Sequence, residues 1–387
     1  MKITAVCDPI AFAERGYAVF IHRIEHPAVA SDGGFTDLPS ERFYTLQSYT
    51  PAADYVLRIA SATIHFPNVV ACGGTLLDAN TAYTNLEHMR QDPEAMPLQR
   101  TANGFALPDD RTTFTATNAA YLSALPNYAA WLLGELPKIG LYRKFSPPNA
   151  PLLLHGTPRD FHFDSLAAYG ITRDQLILVG ADTPIAARNV LLASPGYFHH
   201  MPSPATIEFL RRTMAPANRE DVRKIYVSRS RIRNRRIRNE TLMEQHLRDR
   251  GYEIVFPESL SFRDQTTLFS RADVIIAPYG AALANLAFVK PDCKVMIVAT
   301  KFTLEHARLL DMRGIPFFLF AIYRRNWLRY LVRRQHREYV TQYTVDLRRF
   351  TEAVDLLERT GAPGHDGAIF RSFRKLRRDA GQAMRRR

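Results

Sequence analysis

Ser228-Arg229 closes a short β-rich segment, KIYVS (224–228), and opens a run of arginines; Pro278-Tyr279-Gly280-Ala281-Ala282 closes a second apolar segment, DVIIAP (273–278). Residues of these types suit the binding of an anion. A guanidinium carries a full positive charge and donates paired hydrogen bonds to phosphate oxygens. Gly280 permits a tight turn, and Ala281, Ala282 and Ala284 have so little side chain that a ligand can reach the backbone. The N–H groups at a helix start there would add about half a positive charge. A diphosphate would be neutralised by these groups without a metal ion. Alone, a strand–Gly–helix junction is usually only a connection, and an arginine run a solvated face. Both at strand ends of one sheet point to a site. Motifs for other chemistries are absent: there is no GxGxxG after a strand, no GxxxxGK[ST], no HExxH, no GxSxG and no Asp-x-Asp pair.

The second half of the chain supplies elements that can position these loops. NETLMEQHLRDRG (239–251) reads as a helix capped by Asn239 and stopped by Gly251, and YEIVFP (252–257) as a strand. SFRDQTTLFSRA (261–272) reads as a helix opened by a Ser261/Asp264 capping box. A helix of small residues over 280–289, a strand over 294–299, a helix over 302–314 and a strand over 316–321 follow. Strands alternating with short helices predict βαβ units and a doubly wound parallel sheet. Upstream, 150–156, 174–180 and 188–194 read as buried strands with a helix around 166–170, a second α/β layer. The Pro/Asn-rich stretch near 205–220 divides the chain into an N-terminal α/β domain (1–205), a doubly wound α/β domain (206–345) and a basic helical tail (346–387).

At 387 residues, with 46% hydrophobic and 23% charged, the chain can bury sizeable cores, so disorder and a disulfide or metal staple are not expected. Cys7, Cys72 and Cys293 form no CxxC pair, which fits a reducing compartment. No signal peptide or membrane span is expected, so the reading is cytoplasmic. The net charge is +13 and is concentrated. Residues 222–239 hold eight Lys/Arg and no acid, 323–337 six Arg and no acid, and 365–387 eight Lys/Arg and two acids. Such runs suit phosphate or anionic lipid. In the tail, Ile369, Phe370, Phe373 and Leu376 fall at helical spacing, suited to an anionic membrane face or to docking on the protein's own body.

The stretch from 226 to 298 resembles the donor half of glycosyltransferase family 61. That family's pattern is a Ser-Arg after a strand, an Arg and then Asn-Glu opening a helix, a Gly-Phe/Tyr strand, a Pro-Glu…Leu-Ser…Gln helix and a His-Gly-Ala-x-Leu-x-Asn turn. Here stand Ser228-Arg229, Arg236, Asn239-Glu240, Gly251, Pro257-Glu258, Gln265, Gly280-Ala281, Leu283 and Asn285. NYAAWLLGELPKI (127–139) resembles the family's Asn-Tyr-x-His-Trp-Leu-x-x-x-Leu-Pro element. Ala130 and Tyr279 stand where the pattern has histidines. Tyr279 can donate a hydrogen bond to phosphate or sugar but cannot be a general base near pH 7.

The resemblance implies a GT-B architecture, two Rossmann-like domains facing across a cleft, with inverting transfer and no cofactor or metal. A nucleotide-sugar donor would lie on the second domain and a saccharide or glycolipid acceptor on the first. Arg229, Arg236, Tyr279, Gly280, Ala281 and Ala282 would hold the diphosphate, with Ser228, Asn239, Glu258 and Asn285 as nucleotide or sugar contacts. Asn127 and Trp131 would face the acceptor, and Glu135 is the candidate base. Each has a structural alternative: Asn127 an N-cap, Trp131 core, Asn285 a brace for its turn, Glu135 a surface carboxylate or a partner for Arg143. The expected setting is synthesis of a capsule or exopolysaccharide at the cytoplasmic membrane face. Rival readings are a family member kept as a nucleotide-binding scaffold, prompted by the replaced histidines, and a nucleic-acid binder, against which no known motif appears.

Overall fold

Short apolar runs bounded by turn residues become strands wherever helices cover both faces. The computed structural model describes residues 2–3, 5–25, 34–37, 42–45, 53–77, 99–101, 104–107, 113–147, 149–194, 197–198, 201–212, 223–233, 235–299, 317–321 and 343–359. The alternation expected beyond 223 is present. Arg223–Val227, Tyr252–Val255, Ala272–Pro278, Lys294–Ala299 and Phe317–Ala321 are parallel strands of one sheet. Every residue of Ala272–Pro278 except Asp273 is buried, as in the middle of a covered sheet. Glu240–Arg248 and Phe262–Arg271 are the intervening helices. Ser261 caps the second through its Oγ, which accepts the Asp264 N–H at 3.1 Å. The helix expected over 302–314 lies outside the described residues.

The order across this sheet fixes where a ligand can sit. Arg223–Val227 lies between Tyr252–Val255 and Ala272–Pro278. The chain therefore leaves Arg223–Val227 to one side, then returns to form Ala272–Pro278 on the other. That reversal is a topological switch point, and the crevice beyond its carboxyl ends is where open α/β sheets bind ligands. Ile225 pairs with Ile275 and Tyr226 with Ile276. This register brings the Ser228-Arg229 loop beside Tyr279-Gly280.

The same sheet takes up Gly34–Asp37, parallel to Phe317–Ala321, and Arg42–Thr45, antiparallel at the edge. A hairpin from the region expected to be wholly N-terminal is thus built into the second sheet. The first sheet is mixed rather than purely doubly wound. Ala120–Ala124, Leu152–Gly156 and Leu176–Val179 are parallel, with helix Asp160–Ala168 between the last two, as expected. Ile185–Ala193 continues the sheet, but the long strand Asp54–His65 joins it antiparallel. One apolar cluster runs through both layers, joining Leu122, Trp131 and Leu154 of the first to Ile225, Ile275 and Val295 of the second.

The start of the expected tail is helix Leu347–Arg359, docked on the second sheet's body. Its Phe350, Val354 and Leu357 are buried with Tyr226, Met243 and Leu247. Lys224 pairs with Glu358 at 2.9 Å, and Lys294 Nζ donates to the carbonyls of Leu357 and Glu358. These cations satisfy a helix C-terminus. The remainder of the tail, with Ile369, Phe370, Phe373 and Leu376, and the basic run over 323–337 lie outside the described residues.

Two buried histidines predict that this fold loses stability in acid. His162 Nδ1 accepts the Arg159 N–H at 2.8 Å and Nε2 lies 3.0 Å from the Leu125 carbonyl, so the neutral tautomer protonated on Nε2 satisfies both bonds. Burial lowers His162 to about 4, and does the same to His155, whose Nδ1 lies 3.2 Å from the Tyr121 hydroxyl. An unfolded histidine titrates near 6.5. Below that pH the unfolded chain takes up protons that the folded chain refuses. Stability is therefore whole above about pH 6.5 and falls as pH drops toward 4, by up to about 3 kcal/mol for each histidine. Urea unfolding midpoints between pH 7 and pH 4 measure this loss.

Candidate functional site

Arg229 leaves the end of Arg223–Val227 and lays its guanidinium against Gly280. A Cβ added at Gly280 would collide with Arg229 Nη1 and lie 3.1 Å from its Cζ. Gly280 is extended (φ 178°), so what favours glycine here is the close approach of the Arg229 side chain and not backbone strain. Tyr279 is fixed by its own N–H, which donates to the Val298 carbonyl at 2.8 Å. The Arg235 guanidinium lies over the Tyr279 ring, 4.8 Å from its centroid. Burial, followed by the charge of Arg235, pulls Arg229 below the ordinary arginine value; Tyr343, Glu240 and Glu258 act the other way. Two guanidinium groups and the two residues of the bend thus share one corner of the switch point. Exposed Glu258 is close enough to act on Arg229's charge.

The element after the bend is a 3₁₀ helix, Ala281–Ala287, where an α-helix was expected. Its Leu283 N–H already donates to the Gly280 carbonyl at 3.0 Å. The half-buried Ala281 and Ala282 remain the backbone nearest the guanidinium. A run this short carries less dipole than the expected helix, so the arginines supply most of the positive charge.

The arginine loop is held from beneath by carboxylates. Glu240 Oε1 accepts the Arg229 backbone N–H at 2.7 Å and the Tyr226 hydroxyl at 2.9 Å. Ser228 Oγ donates to Glu244 at 2.6 Å and accepts the Ser230 N–H at 3.0 Å. Burial, with Glu244 nearby, raises Glu240 above the usual carboxylate range. A strand-like segment at 343–345 runs beside the loop: Tyr343 N–H donates to the Arg236 carbonyl at 3.1 Å and Arg238 N–H to the Tyr343 carbonyl at 2.7 Å. Asn239 grips Val345 through both ends of its amide, at 2.8 and 2.9 Å.

These contacts correct several expectations. Ser228 is buried and spent on building the loop. The Asn239 side chain is neither an N-cap nor turned to a ligand, because Val345 satisfies it better. Arg236 is exposed and lends the loop its carbonyl; the arginine that reaches the bend is Arg235, whose left-handed backbone (φ 55°) redirects the chain one residue earlier. Asn285 is fully buried, receiving the Tyr128 hydroxyl at 2.8 Å and donating to Gln265 Oε1 at 2.8 Å. It braces the turn and ties it to the 127–139 element.

Within that element, Asn127 is an N-cap, its Oδ1 accepting the N–H groups of Ala129 and Ala130. Trp131 is core, with Nε1 donating to Ser165 Oγ at 2.8 Å. Glu135 ends a π-helical turn, Trp131–Glu135, and is 1% exposed. Its carboxylate receives Lys138 Nζ at 2.8 and 2.9 Å, Asn68 Nδ2 at 2.9 Å and the Ser123 N–H at 2.9 Å. All its acceptor capacity serves the fold, so it is not a cleft-facing base, and its partner is Lys138. Arg143 donates instead to the Tyr169 carbonyl. Among the described residues no group of three or more His, Cys, Asp or Glu could hold a metal ion, and no helix is long and apolar enough to cross a membrane.

An arginine packed on a glycine bend at the switch point of a wound sheet defines the candidate site of an α/β protein. Residues 56–296 match the family described as Glycosyltransferase 61, and the chain belongs to that family. The match runs from the Asp54–His65 strand into Lys294–Ala299 and so contains both the bend and the 127–139 element. Membership supports a glycosyltransferase, an enzyme of class EC 2.4. No curated protein matches the chain.

Proposed function

We propose that this protein transfers a sugar from a nucleoside diphosphate donor to a hydroxyl of a saccharide or glycolipid acceptor, with inversion and without a metal ion. The observation that carries the reading is the Arg229 guanidinium packed on Gly280 at the switch point. In this reading the two sheets are the donor and acceptor units of a GT-B enzyme, and the diphosphate lies along Arg229, Gly280, Ala281 and Ala282. The acceptor hydroxyl loses its proton and attacks the anomeric carbon in line. As the bond to the leaving group breaks, negative charge grows on the diphosphate, where guanidinium and main-chain amide stabilise it. In this reading Glu258, exposed and near enough to act on Arg229's charge, would meet ribose or sugar hydroxyls. The process would be synthesis of a surface polysaccharide of the capsule or exopolysaccharide kind. It would run on the cytoplasmic side, with the basic segment 365–387 resting on anionic lipid.

A thermal-shift panel of nucleotide sugars and nucleoside diphosphates tests the donor site. A ligand at a hundredfold excess over its dissociation constant stabilises the protein by about 2.7 kcal/mol, and Arg229→Ala removes that gain. A melting curve unmoved by every member of the panel would overturn the reading. Tyr279 and Ala130, at the expected histidine positions, motivate a second reading as a scaffold. It predicts the same shift with no transfer and no donor hydrolysis.

A further inference from the structure

We infer that Arg235 is the second diphosphate-binding cation of this site and that the face of the Tyr279 ring is the platform that holds it there. The inference rests on the donor-site reading above and specifies its selectivity. Nothing in the composition of the arginine run separates Arg235 from its neighbours. Its geometry does: alone among the described arginines it has a left-handed backbone, and its Cζ sits 4.8 Å from the Tyr279 centroid. Tyr279 directly precedes Gly280, where the Arg229 guanidinium packs. The two cations thus flank consecutive residues of one bend.

Bringing two guanidinium groups together at a half-buried corner is unfavourable by itself. The repulsion is felt at Arg229, whose ordinary value is lowered by burial and then by Arg235. Glu240, Glu258 and Tyr343 also face Arg229, and Glu240 already accepts a backbone N–H and the Tyr226 hydroxyl. An anion carrying charge on two adjacent centres relieves the repulsion more fully than one with a single centre. The chemistry favoured is therefore a diphosphate over a monophosphate. A cation over a ring face is held there by the ring's quadrupole, which fixes its position without using the hydroxyl. Tyr279 then acts through its aromatic face and not through its hydroxyl. It is a positioning residue, and Arg235 is the group that touches the ligand.

The test is calorimetric titration of the full chain with UDP, GDP, CDP and dTDP, their monophosphates, and inorganic pyrophosphate. For the diphosphate that binds best, Arg235→Ala weakens affinity about ten- to a hundredfold, the scale of one charge-assisted contact, and weakens the monophosphate less than threefold. Tyr279→Leu gives the same selective loss, and Tyr279→Phe recovers it. Arg235→Ala combined with Tyr279→Leu is no weaker than either alone, because the two act as one unit. If Arg229→Ala weakens binding while Arg235→Ala leaves it unchanged, the inference is overturned and the donor site stands. Equal losses in Tyr279→Phe and Tyr279→Leu would assign the contact to the hydroxyl and also overturn it. A wild-type chain that binds none of these probes overturns both readings.

Discussion

Arg229→Ala lowers the rate of sugar transfer, or of donor hydrolysis, by about a hundred- to a thousandfold, equivalent to about 2.7–4 kcal/mol of transition-state stabilisation. The guanidinium is already in place before substrate arrives, packed on Gly280 with its backbone N–H held by Glu240 at 2.7 Å. A preorganised donor costs no rearrangement when charge appears on the leaving diphosphate. Because the donor's diphosphate is already anionic when it binds, part of the loss appears in KM, and the part tied to charge developing as the glycosidic bond breaks appears in kcat. Arg229→Lys recovers little, since an ammonium cannot make the paired contact. Gly280→Ala reaches the same result from the other side, because the added methyl takes the space of the guanidinium. Steady-state kinetics with the best nucleotide sugar decide it. Rates within threefold of the unaltered protein in both variants are incompatible with the site.

Glu135→Ala destabilises the fold by about 3–5 kcal/mol, the cost of leaving a buried charge without its partner. Lys138 is also 1% exposed and would face the cavity with nothing to neutralise it. The same substitution frees Asn68 and the Ser123 N–H, so the turn after Asp54–His65 and the end of Ala120–Ala124 lose their common anchor. Lys138→Met alone has a similar effect, and Glu135→Leu with Lys138→Met recovers much of the loss, since an apolar pair of similar volume often replaces a buried ion pair. Urea denaturation midpoints report this. A Glu135→Gln protein with an unchanged midpoint and no turnover would return Glu135 to the role of base.

The second sheet was legible because its strands are short, apolar and separated by capped helices. Ser261, Gly251 and the DVIIAP strand each do locally what their types predict. The meeting of Arg229 with Gly280 was also legible, since both leave the carboxyl ends of adjacent strands of one wound sheet. The rest depends on contacts between distant segments. Asn239 has the composition of an N-cap, and only the arrival of Val345 shows that its amide is taken. Glu135 looks like a carboxylate on an amphipathic turn until Asn68 is brought to it. Arg235 and Arg236 are indistinguishable as types, and a single backbone angle decides which one turns to the bend. Tyr128 carries a signal that sequence could have used, being a tyrosine beside an N-cap in the recognised element; its role emerges only from the bond to Asn285. The antiparallel strand Asp54–His65 and the hairpin inserted into the second sheet are pairings across long stretches of chain, which periodicity does not encode.

A crystal structure of the chain with its best-binding nucleoside diphosphate bears most directly on the shared grip of guanidinium and main chain. The expected density places diphosphate oxygens about 3 Å from the Arg229 guanidinium and from backbone N–H groups between Gly280 and Ala282. Diphosphate bound away from the crevice between Arg223–Val227 and Ala272–Pro278, or an Arg229 side chain turned out of it, would contradict the account.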